Sequence, residues 1–531
     1  MSLEVVWFKR DLRTADHAPL AAAAARARET GGAVLPLLVV EPDYWALPDT
    51  SGRQFDALAE VRDDLARELD ALGAPLVVRV GDVVSVLDGL AEGPGIAGLW
   101  AHEETGNAWT YARDEAVRAW ARRRGVPFTE LRQNGVIRGL KGRDGWARAW
   151  DRFMAEPMAP TPEALPPHGL DPGAAPDARA VGLAPDPCPG RQNGGRTAGL
   201  AALHGFLEER GRWYHKRMSS PNTAYDACSR LSVPLATGAV SMREAAQAAW
   251  ARQREVRSWA REDKAGWAGA IDAFIGRLHW HCHFIQKLED APEHEWRNVH
   301  PGYDHLRREV EDPEVLAAWA KGETGLPFVD ACMRALVATG WINFRMRAML
   351  QAVASYHLWL PWRESGLHLA RVFTDYEPGI HWNQAQMQSG TTGINTIRIY
   401  NPVKQGRDHD ADGAFIRRWV PELAGVGDPR FLHEPWRMDR AAQDAAGCRL
   451  GADYPEPVVD PVVAARAARE AIWAVRRSPD FKAEADRIQD KHGSRKSGLP
   501  PSNPARRRGA RKAPAPSPAP APADAQARLD L

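Results

Sequence analysis

The sequence predicts an α/β domain followed by an all-helical domain, joined by a long connector. In the first 150 residues short apolar runs alternate with helical patterns, which is typical of a Rossmann-like, doubly wound parallel sheet. Ten prolines then fall between residues 155 and 195 and interrupt any periodicity. Beyond them long helical periods dominate. We therefore expect the α/β domain at 1–135, the connector at 136–195 and the helical domain at 196–480.

Four apolar runs predict the strands of the first domain, at 5–8, 33–40, 75–80 and 96–101. Helical patterns between them cover 20–30 and 55–72. Ligands of parallel sheets bind outside the carboxyl ends of the strands, so the loops after Phe8, Val40 and Val80 are candidate sites. The segment 93–98 has the form G-x-G-x-x-G, but it precedes a strand and therefore predicts no dinucleotide site.

The second domain and the tail differ sharply in composition. Four long segments with a helical period predict helices at 243–257, 265–288, 327–350 and 459–475. Residues 491–531 contain nine Lys or Arg, two Asp and eight Pro. Such a segment has too few large apolar residues to fold, so we expect a disordered basic tail.

Several protein classes are disfavoured. No run of apolar residues is long enough for a membrane span or a secretory signal, which predicts a cytoplasmic protein. Five cysteines without a C-x-x-C pair disfavour a disulfide framework, a zinc ribbon and an iron–sulfur site. His279, His281, Cys282 and His283 invite a metal hypothesis, but residues two apart diverge on a helix, so we predict no metal.

Tryptophan is abundant, with 21 residues, 14 of them beyond residue 210. One interpretation is that Trp supplies large buried area in a helical core. The other is that it provides stacking platforms for bases or flavins, or an electron-hopping chain. Composition alone leaves both open.

The opening heptapeptide Trp7-Phe8-Lys9-Arg10-Asp11-Leu12-Arg13, with Asp16, resembles the first motif of the photolyase and cryptochrome family. Further matches follow in the same order, at 229–238, Trp280, 339–341, 362–364, 401–406 and 412–423. The resemblance covers residues 4 to 480. It implies that the helical domain binds FAD, and that an antenna chromophore of unknown identity is possible in the first domain.

The resemblance also implies which residues bind FAD. The pyrophosphate segment consists of Cys228, Ser229, Arg230, Leu231 and Ser232. The family usually has Thr in place of Cys228, and by spacing alone both serines would equally be helix N-caps. Asp375 resembles the acid beside the flavin and Arg347 its partner, although a buried pair of this kind can be purely structural. Tyr214, Tyr376 and Glu377 complete the expected cofactor set.

For catalysis, the resemblance assigns Trp280 as the platform for an extruded pyrimidine dimer and Arg345 as a lesion contact. His381 falls where repair enzymes commonly place Asn facing flavin N5, and a shift of one residue would put Ile380 or Trp382 there. The expected DNA-contacting positions are Arg277, His281, Phe344 and Gln405. The first three depart from the usual Glu, Arg and Asn, so lesion contacts cannot be transferred unchanged.

The electron-transfer chain also departs from the family pattern. Trp362 matches the middle Trp of three, but Ala385 and Glu309 occupy the other two positions. We expect Trp341, Trp359 or Trp382 to substitute.

These implications favour a light-driven lyase, monomeric and acting on pyrimidine dimers in damaged DNA, with cyclobutane dimers the first choice. The alternative is a cryptochrome-like blue-light receptor that binds FAD without repairing DNA. A flavin-free DNA-binding relic is a third possibility, disfavoured by the intact Asp375, Arg347 and 229–232 segment.

Overall fold

The computed structural model describes residues 2–493, and its first part is a five-stranded parallel sheet. The strands are β1 (Leu3–Phe8), β2 (Ala33–Val40), β3 (Val77–Val80), β4 (Ile96–His102) and β5 (Phe128–Leu131). Their order is β3-β2-β1-β4-β5, with β1 in the centre. This is the predicted doubly wound sheet. Only β5 escaped prediction, because its four residues are partly polar and none is fully buried.

Helices cover both faces of this sheet. They are α1 (Ala18–Thr30), α2 (Pro42–Trp45), α3 (Gly52–Ala71), α4 (Val83–Glu92) and α5 (Ala108–Arg124). Alternate side chains of β1 lie on opposite faces of the sheet. Val6 and Phe8 pack with α1 and α3, whereas Val5 and Trp7 pack with α4 and α5. A fully buried central strand explains why β1 reads as a continuous apolar run.

The connector is more ordered than its prolines suggest. It contains helix α6 (Trp146–Ala155), whose Trp150 is buried in the core of the second part. Further along, Pro172 accepts a hydrogen bond from the Val78 amide at 2.7 Å. Asp186 forms an ion pair with Arg53 of α3 at 2.6 Å. The connector is therefore packed against both parts.

The second part is helical, as predicted. Its helices are α7 (Arg196–Glu208), α8 (Tyr214–Arg217), α9 (Pro221–Ala227), α10 (Ser232–Ala236), α11 (Met242–Ser258), α12 (Trp267–Asp290), α13 (Pro313–Lys321), α14 (Pro327–Thr339), α15 (Phe344–Ala352), α16 (Trp362–Val372), α17 (Pro378–Ser389), α18 (Pro402–His409), α19 (Ala414–Trp419), α20 (Pro429–His433), α21 (Arg440–Ala446), α22 (Pro461–Arg476) and α23 (Phe481–His492). A π-helical turn, Val353–His357, follows α15 directly. No helix within residues 2–493 combines the length and hydrophobicity that a bilayer crossing requires.

Two predicted boundaries differ from the structure. The segment 327–350 forms two helices because Gly340 adopts a left-handed φ of 67°, and a side chain there would overlap Thr374. The predicted helical domain ends at 480, whereas helix α23 continues to His492 and includes Lys491, the first residue of the predicted tail. The remainder of the predicted tail, 494–531, lies outside the described residues.

Candidate functional site

The segment 228–232 forms a backbone cradle between α9 and α10. Arg230 adopts a left-handed φ of 61°, which turns the chain sharply at this point. Arg210 donates hydrogen bonds to the carbonyl oxygens of Cys228 and, at 2.7 Å, of Ser229. The N-cap position of α10 is Leu231, and Ser232 is the first helical residue. Neither serine is therefore the helix cap that spacing alone allowed.

Positive charge is concentrated around Cys228. Burial raises the pKa of its thiol to about 12, while the guanidinium groups of Arg230, Arg210, Arg277 and Arg347 oppose the rise. Of these four cations, only Arg347 has an ion-pair partner among residues 2–493. A pocket with surplus guanidinium charge is suited to a phosphate or pyrophosphate anion.

Arg347 and Asp375 form a bidentate ion pair. The two nitrogen–oxygen distances are 3.0 and 2.7 Å, and Arg347 also donates to the Ile342 carbonyl oxygen at 2.7 Å. The Asp375 side chain is buried at 1% exposure, whereas the Arg347 side chain keeps 24%. The guanidinium lies 4.1 Å from the Phe373 ring centroid. One face of the cation is thus fixed and the other remains accessible.

Tyr376 and Glu377 direct their side chains toward the α/β part. The Tyr376 hydroxyl donates to Asp49 at 2.5 Å. Glu377 accepts a hydrogen bond from Arg10 at 2.8 Å, and burial raises the pKa of its carboxyl. The structure therefore places both side chains at the contact between the two parts.

His381, on α17, is a neutral ring in an aromatic environment. Its Nε2 lies 2.8 Å from the Gly366 carbonyl oxygen, which can only accept, so the proton resides on Nε2. Burial lowers the pKa of the imidazole to about 4. Phe373, Tyr376 and Trp382 surround it at centroid distances of 4.8 to 6.0 Å.

The four candidate electron-transfer tryptophans fall into different clusters. Trp382 is fully buried and meets Trp362 edge-on at 5.9 Å between ring centroids. Trp341 instead packs on the Arg230 guanidinium at 3.9 Å. Trp359 lies 5.2 Å from the Arg307 guanidinium. The structure therefore brings Trp362 and Trp382 together and places the other two elsewhere.

Trp280 forms an exposed aromatic platform on α12. Its side chain is stacked on Phe284, one helical turn later, at 5.6 Å and 27° between ring planes. His283 supports the indole edge-on at 5.1 Å. With 36% of its surface exposed, Trp280 is one of the few large apolar residues that face solvent. Sequence reasoning had identified Trp280 but not Phe284, although their i, i+4 spacing is the available signal.

Arg277 links this platform to the cradle. Its guanidinium lies 5.6 Å from the Phe344 ring centroid on α15. It also faces the Tyr214 hydroxyl, whose pKa burial raises to about 12 while the Arg277 charge limits the rise. One turn of α12 thus separates a residue near the cradle from the exposed Trp280.

Arg345, Gln405 and His281 occupy other positions around the site. The charge of Arg345 on α15 acts on His409, one turn beyond Gln405 on α18, so these helices are neighbours there. Arg345 Nε and Gln405 Oε1 are both buried without a hydrogen-bond partner within residues 2–493. His281 instead borders a cavity of about 40 Å³ between the two parts, together with Arg10. Burial lowers the pKa of its ring to about 4.

Comparisons with known proteins agree with this geometry. Residues 4–138 match the family model for DNA photolyase, and residues 274–474 match that for the FAD binding domain of DNA photolyase. The chain is 30% identical over 476 residues to the deoxyribodipyrimidine photo-lyase of Streptomyces griseus, covering 87% of this chain and 97% of that one. The chain belongs to the photolyase and cryptochrome family.

Relatives in this family differ in name. The cryptochrome DASH of Gloeobacter violaceus is 29% identical over 497 residues, covering 88% of this chain and 95% of its own. Among solved structures, a bacterial class III photolyase from Agrobacterium tumefaciens superposes with a TM-score of 0.77 at 26% identity, covering 90% of this chain and 98% of that one. The comparisons therefore establish the family. They do not distinguish DNA repair from light signalling.

The family cofactor is FAD, and the residues present fit it. The cradle has surplus guanidinium charge, from Arg210, Arg230 and Arg277, that would suit the pyrophosphate. The accessible face of Arg347 supplies a fixed positive charge beside Asp375. Sequence reasoning missed Arg210, because its contact with Cys228 joins residues 18 apart in the chain and leaves no local signal.

The histidine cluster on α12 does not form a ligand set. His279 stacks on Trp150 at 3.8 Å and pairs with Asp151. Cys282 is buried with α6 and α11 in the helical core, and His283 contacts Trp280. His279, Cys282 and His283 therefore lie in three different environments.

Three buried side chains of the first part, Asp11, His17 and His102, have possible ligand atoms within 4.8 Å of one another. The Asp11 carboxylate oxygen Oδ2 lies 3.0 Å from His17 and 2.8 Å from His102. His17 also accepts from the Leu20 amide and so caps α1. These hydrogen bonds hold Asp11, His17 and His102 to one another and to the start of α1. A structural role is therefore enough to explain why the three side chains lie together.

Proposed function

We propose that the protein is a light-driven lyase that splits UV-induced pyrimidine dimers in DNA, with cyclobutane dimers as the substrate. The observation that carries the proposal is the placement of Trp280 and Arg277 one turn apart on α12. One faces solvent as a stacked platform, and the other faces the FAD cradle. A stacked lesion and the cofactor would therefore be neighbours.

Trp280 would receive the lesion after the damaged nucleotides leave the duplex. A dimer is already badly paired, so its extrusion costs less than the few kcal/mol that a normal base requires. Base–indole stacking contributes about 1–3 kcal/mol per base and offsets this cost. Phe284 holds the indole plane in position.

The chemistry that FAD would supply when bound, fully reduced and excited by light is transfer of an electron to the dimer, with return of that electron after the ring has split. Arg347, fixed by Asp375, provides the positive charge that stabilises an anionic ligand beside it. His381 keeps its proton on Nε2 and stays neutral above a pH of about 4. Its Nδ1 therefore has a lone pair and acts as an acceptor.

The decisive experiment illuminates the reduced, FAD-loaded protein with dimer-containing oligonucleotide and measures the recovery of intact pyrimidines, with a dark control. We expect Trp280→Ala to weaken lesion binding by roughly tenfold or more while FAD content stays unchanged. The matched variant Trp280→Phe keeps a stacking ring and should retain most of the binding. Light-independent or absent splitting by the wild type would contradict the proposal.

One observation favours a second candidate, a blue-light receptor without repair activity. Arg277 replaces the acid that repair enzymes use to bind the lesion base, and its guanidinium is engaged with Phe344 and Tyr214. If the wild type binds FAD and responds to light but splits no dimers, the receptor function is supported. In either case we propose that it acts as a cytoplasmic monomer on or near DNA.

A further inference from the structure

A groove lies on the helical part, and none of the cradle residues lines it. It has a volume of about 420 Å³ and is formed by one face of α22 and the segment 396–399. Its lining residues are Thr396, Ile397, Ile399, Arg469, Trp473 and Arg476. None of these six is acidic. The groove therefore combines apolar side chains with two positive charges.

Trp473 is the unusual member of this groove. Its side chain is 47% exposed, although the opposite face of α22 buries Ala468 and Ile472 against the core. The helix therefore has its own apolar face and does not need Trp473 for packing. An exposed indole flanked by guanidinium groups offers a face on which a nucleic-acid base can stack.

One of the two positive charges, Arg476, is held in a fixed position. Arg476 donates to the Tyr303 hydroxyl at 3.1 Å and to the Asn395 carbonyl oxygen at 2.7 Å. Its guanidinium lies 5.6 Å from the Trp473 ring centroid. Arg469 lies one turn before Trp473 on the same face. No ion pair joins Arg469 or Arg476 to a carboxylate within residues 2–493.

We propose that this groove binds a nucleotide of the DNA strand outside the lesion, with a base stacked on Trp473 and a phosphate on Arg469 and Arg476. An exposed indole between guanidinium groups is the combination that recognises unpaired nucleotides without sequence preference. This inference rests on the proposed function in one respect, namely that DNA is the ligand.

The chain connects the groove to the predicted DNA-contacting helix. Ile399 lies two residues before Asn401, whose side chain caps α18. Gln405, the expected DNA contact, follows one turn later. The groove and α18 are therefore built from consecutive stretches of the chain.

Charge argues against the chain's own tail as the occupant. Residues 491–531 contain nine Lys or Arg against two Asp, so the tail and the groove carry charge of the same sign. A DNA strand has the opposite charge, which makes it the complementary ligand.

The test measures binding of labelled, undamaged single-stranded oligonucleotide to the full-length, FAD-loaded protein by fluorescence anisotropy. We expect Trp473→Ala to weaken binding by about fivefold or more. Trp296, which is 45% exposed and does not line the groove, provides the control Trp296→Ala. Equal affinities for these two variants would overturn the proposal.

A second pair of variants tests the phosphate contact. Arg469→Gln should reduce the slope of log affinity against log salt by about one, whereas Arg466→Gln, an exposed change on the same helix, should leave it unchanged. Quenching of tryptophan fluorescence by the oligonucleotide should shrink in Trp473→Ala and not in Trp296→Ala. Unchanged slope and unchanged quenching would each contradict the groove assignment.

Failure of the repair proposal would look different. In the repair proposal, Trp280 produces the preference for dimer-containing over undamaged DNA. Trp473→Ala should therefore lower the affinities for dimer-containing and for undamaged DNA by the same factor and leave their ratio unchanged. If the wild type shows no preference but Trp473→Ala still weakens binding, the groove stands and the lesion assignment fails.

Discussion

At the residue scale, Cys228 shows how one substitution alters a ligand site without changing its shape. The backbone of 228–232 turns sharply at Arg230, and guanidinium groups surround the Cys228 thiol. A thiol, however, is a weak hydrogen-bond donor where the family usually has a hydroxyl. Retention of FAD therefore depends more on the surrounding charge than on this side chain.

We expect Cys228→Thr to tighten FAD binding by about fivefold, because one added hydrogen bond contributes about 1 kcal/mol. The measurement is the rate at which FAD leaves the purified protein, followed by its fluorescence. Cys188→Thr changes a half-buried cysteine of the connector and should have no effect. Faster FAD loss in Cys228→Thr would show that the thiol is preferred at this position.

Single residues also mark the limit of prediction from sequence. The Arg347–Asp375 pair was identified through the resemblance, and the structure forms it as a bidentate contact. The surroundings of Arg277 could not be predicted, because Phe344 and Tyr214 reach it from distant parts of the chain. Local spacing specifies a helix face, whereas the partner of that face depends on tertiary packing.

At the scale of elements, the periodicity of apolar residues predicted the positions of helices better than it predicted the residues at which they end. The 265–288 prediction corresponds closely to α12, because its apolar positions repeat over six turns. The 327–350 prediction merged two helices, since the apolar pattern continues across Gly340. The left-handed backbone at that glycine ends α14 although the pattern does not.

The contact between α16 and α17 leads to a prediction about light-driven reduction of FAD. Trp382 lies between His381 and Trp362, with ring centroids 4.8 and 5.9 Å away. Because phenylalanine is much harder to oxidise than tryptophan, Trp382→Phe should slow photoreduction to about one tenth or less, a barrier increase of about 1.4 kcal/mol. The reaction is followed by the loss of flavin absorbance under illumination with a reductant.

The control for this prediction is Trp359→Phe, which removes an indole from a different cluster. Its photoreduction rate should match the wild type. If Trp359→Phe slows the reaction and Trp382→Phe does not, the electrons take a route through the cluster beside the π-helical turn instead.

At the scale of the whole molecule, the two parts share a tightly packed interface. The carbonyl oxygen of Gly238 accepts a hydrogen bond from Arg13 at 2.9 Å, and Asp16 pairs with Arg243 at 3.0 Å. A side chain at Gly238 would overlap the backbone of Arg10. The opening motif of the sequence therefore serves to join the parts, a role that residue types alone do not reveal.

Gly238→Ala should lower the free energy of unfolding by about 2–5 kcal/mol, through its left-handed φ of 75° and the overlap with Arg10. Gly447 has a similar φ of 64° and open space around it, so Gly447→Ala should cost only about 1–2 kcal/mol. Thermal denaturation of both variants tests the difference. Equal losses would mean that the interface relaxes to admit the methyl group.

Arg10 connects three segments of the chain at this interface. The same guanidinium donates to the Tyr376 carbonyl oxygen, the Glu377 carboxylate and the Ala236 carbonyl oxygen, at 3.3, 2.8 and 3.0 Å. It thereby ties the end of β1 both to the chain leaving Asp375 and to the helix after the phosphate cradle. Any displacement that light produces near Asp375 would pull on the central strand of the sheet, over 360 residues away along the chain but only one side chain away in space.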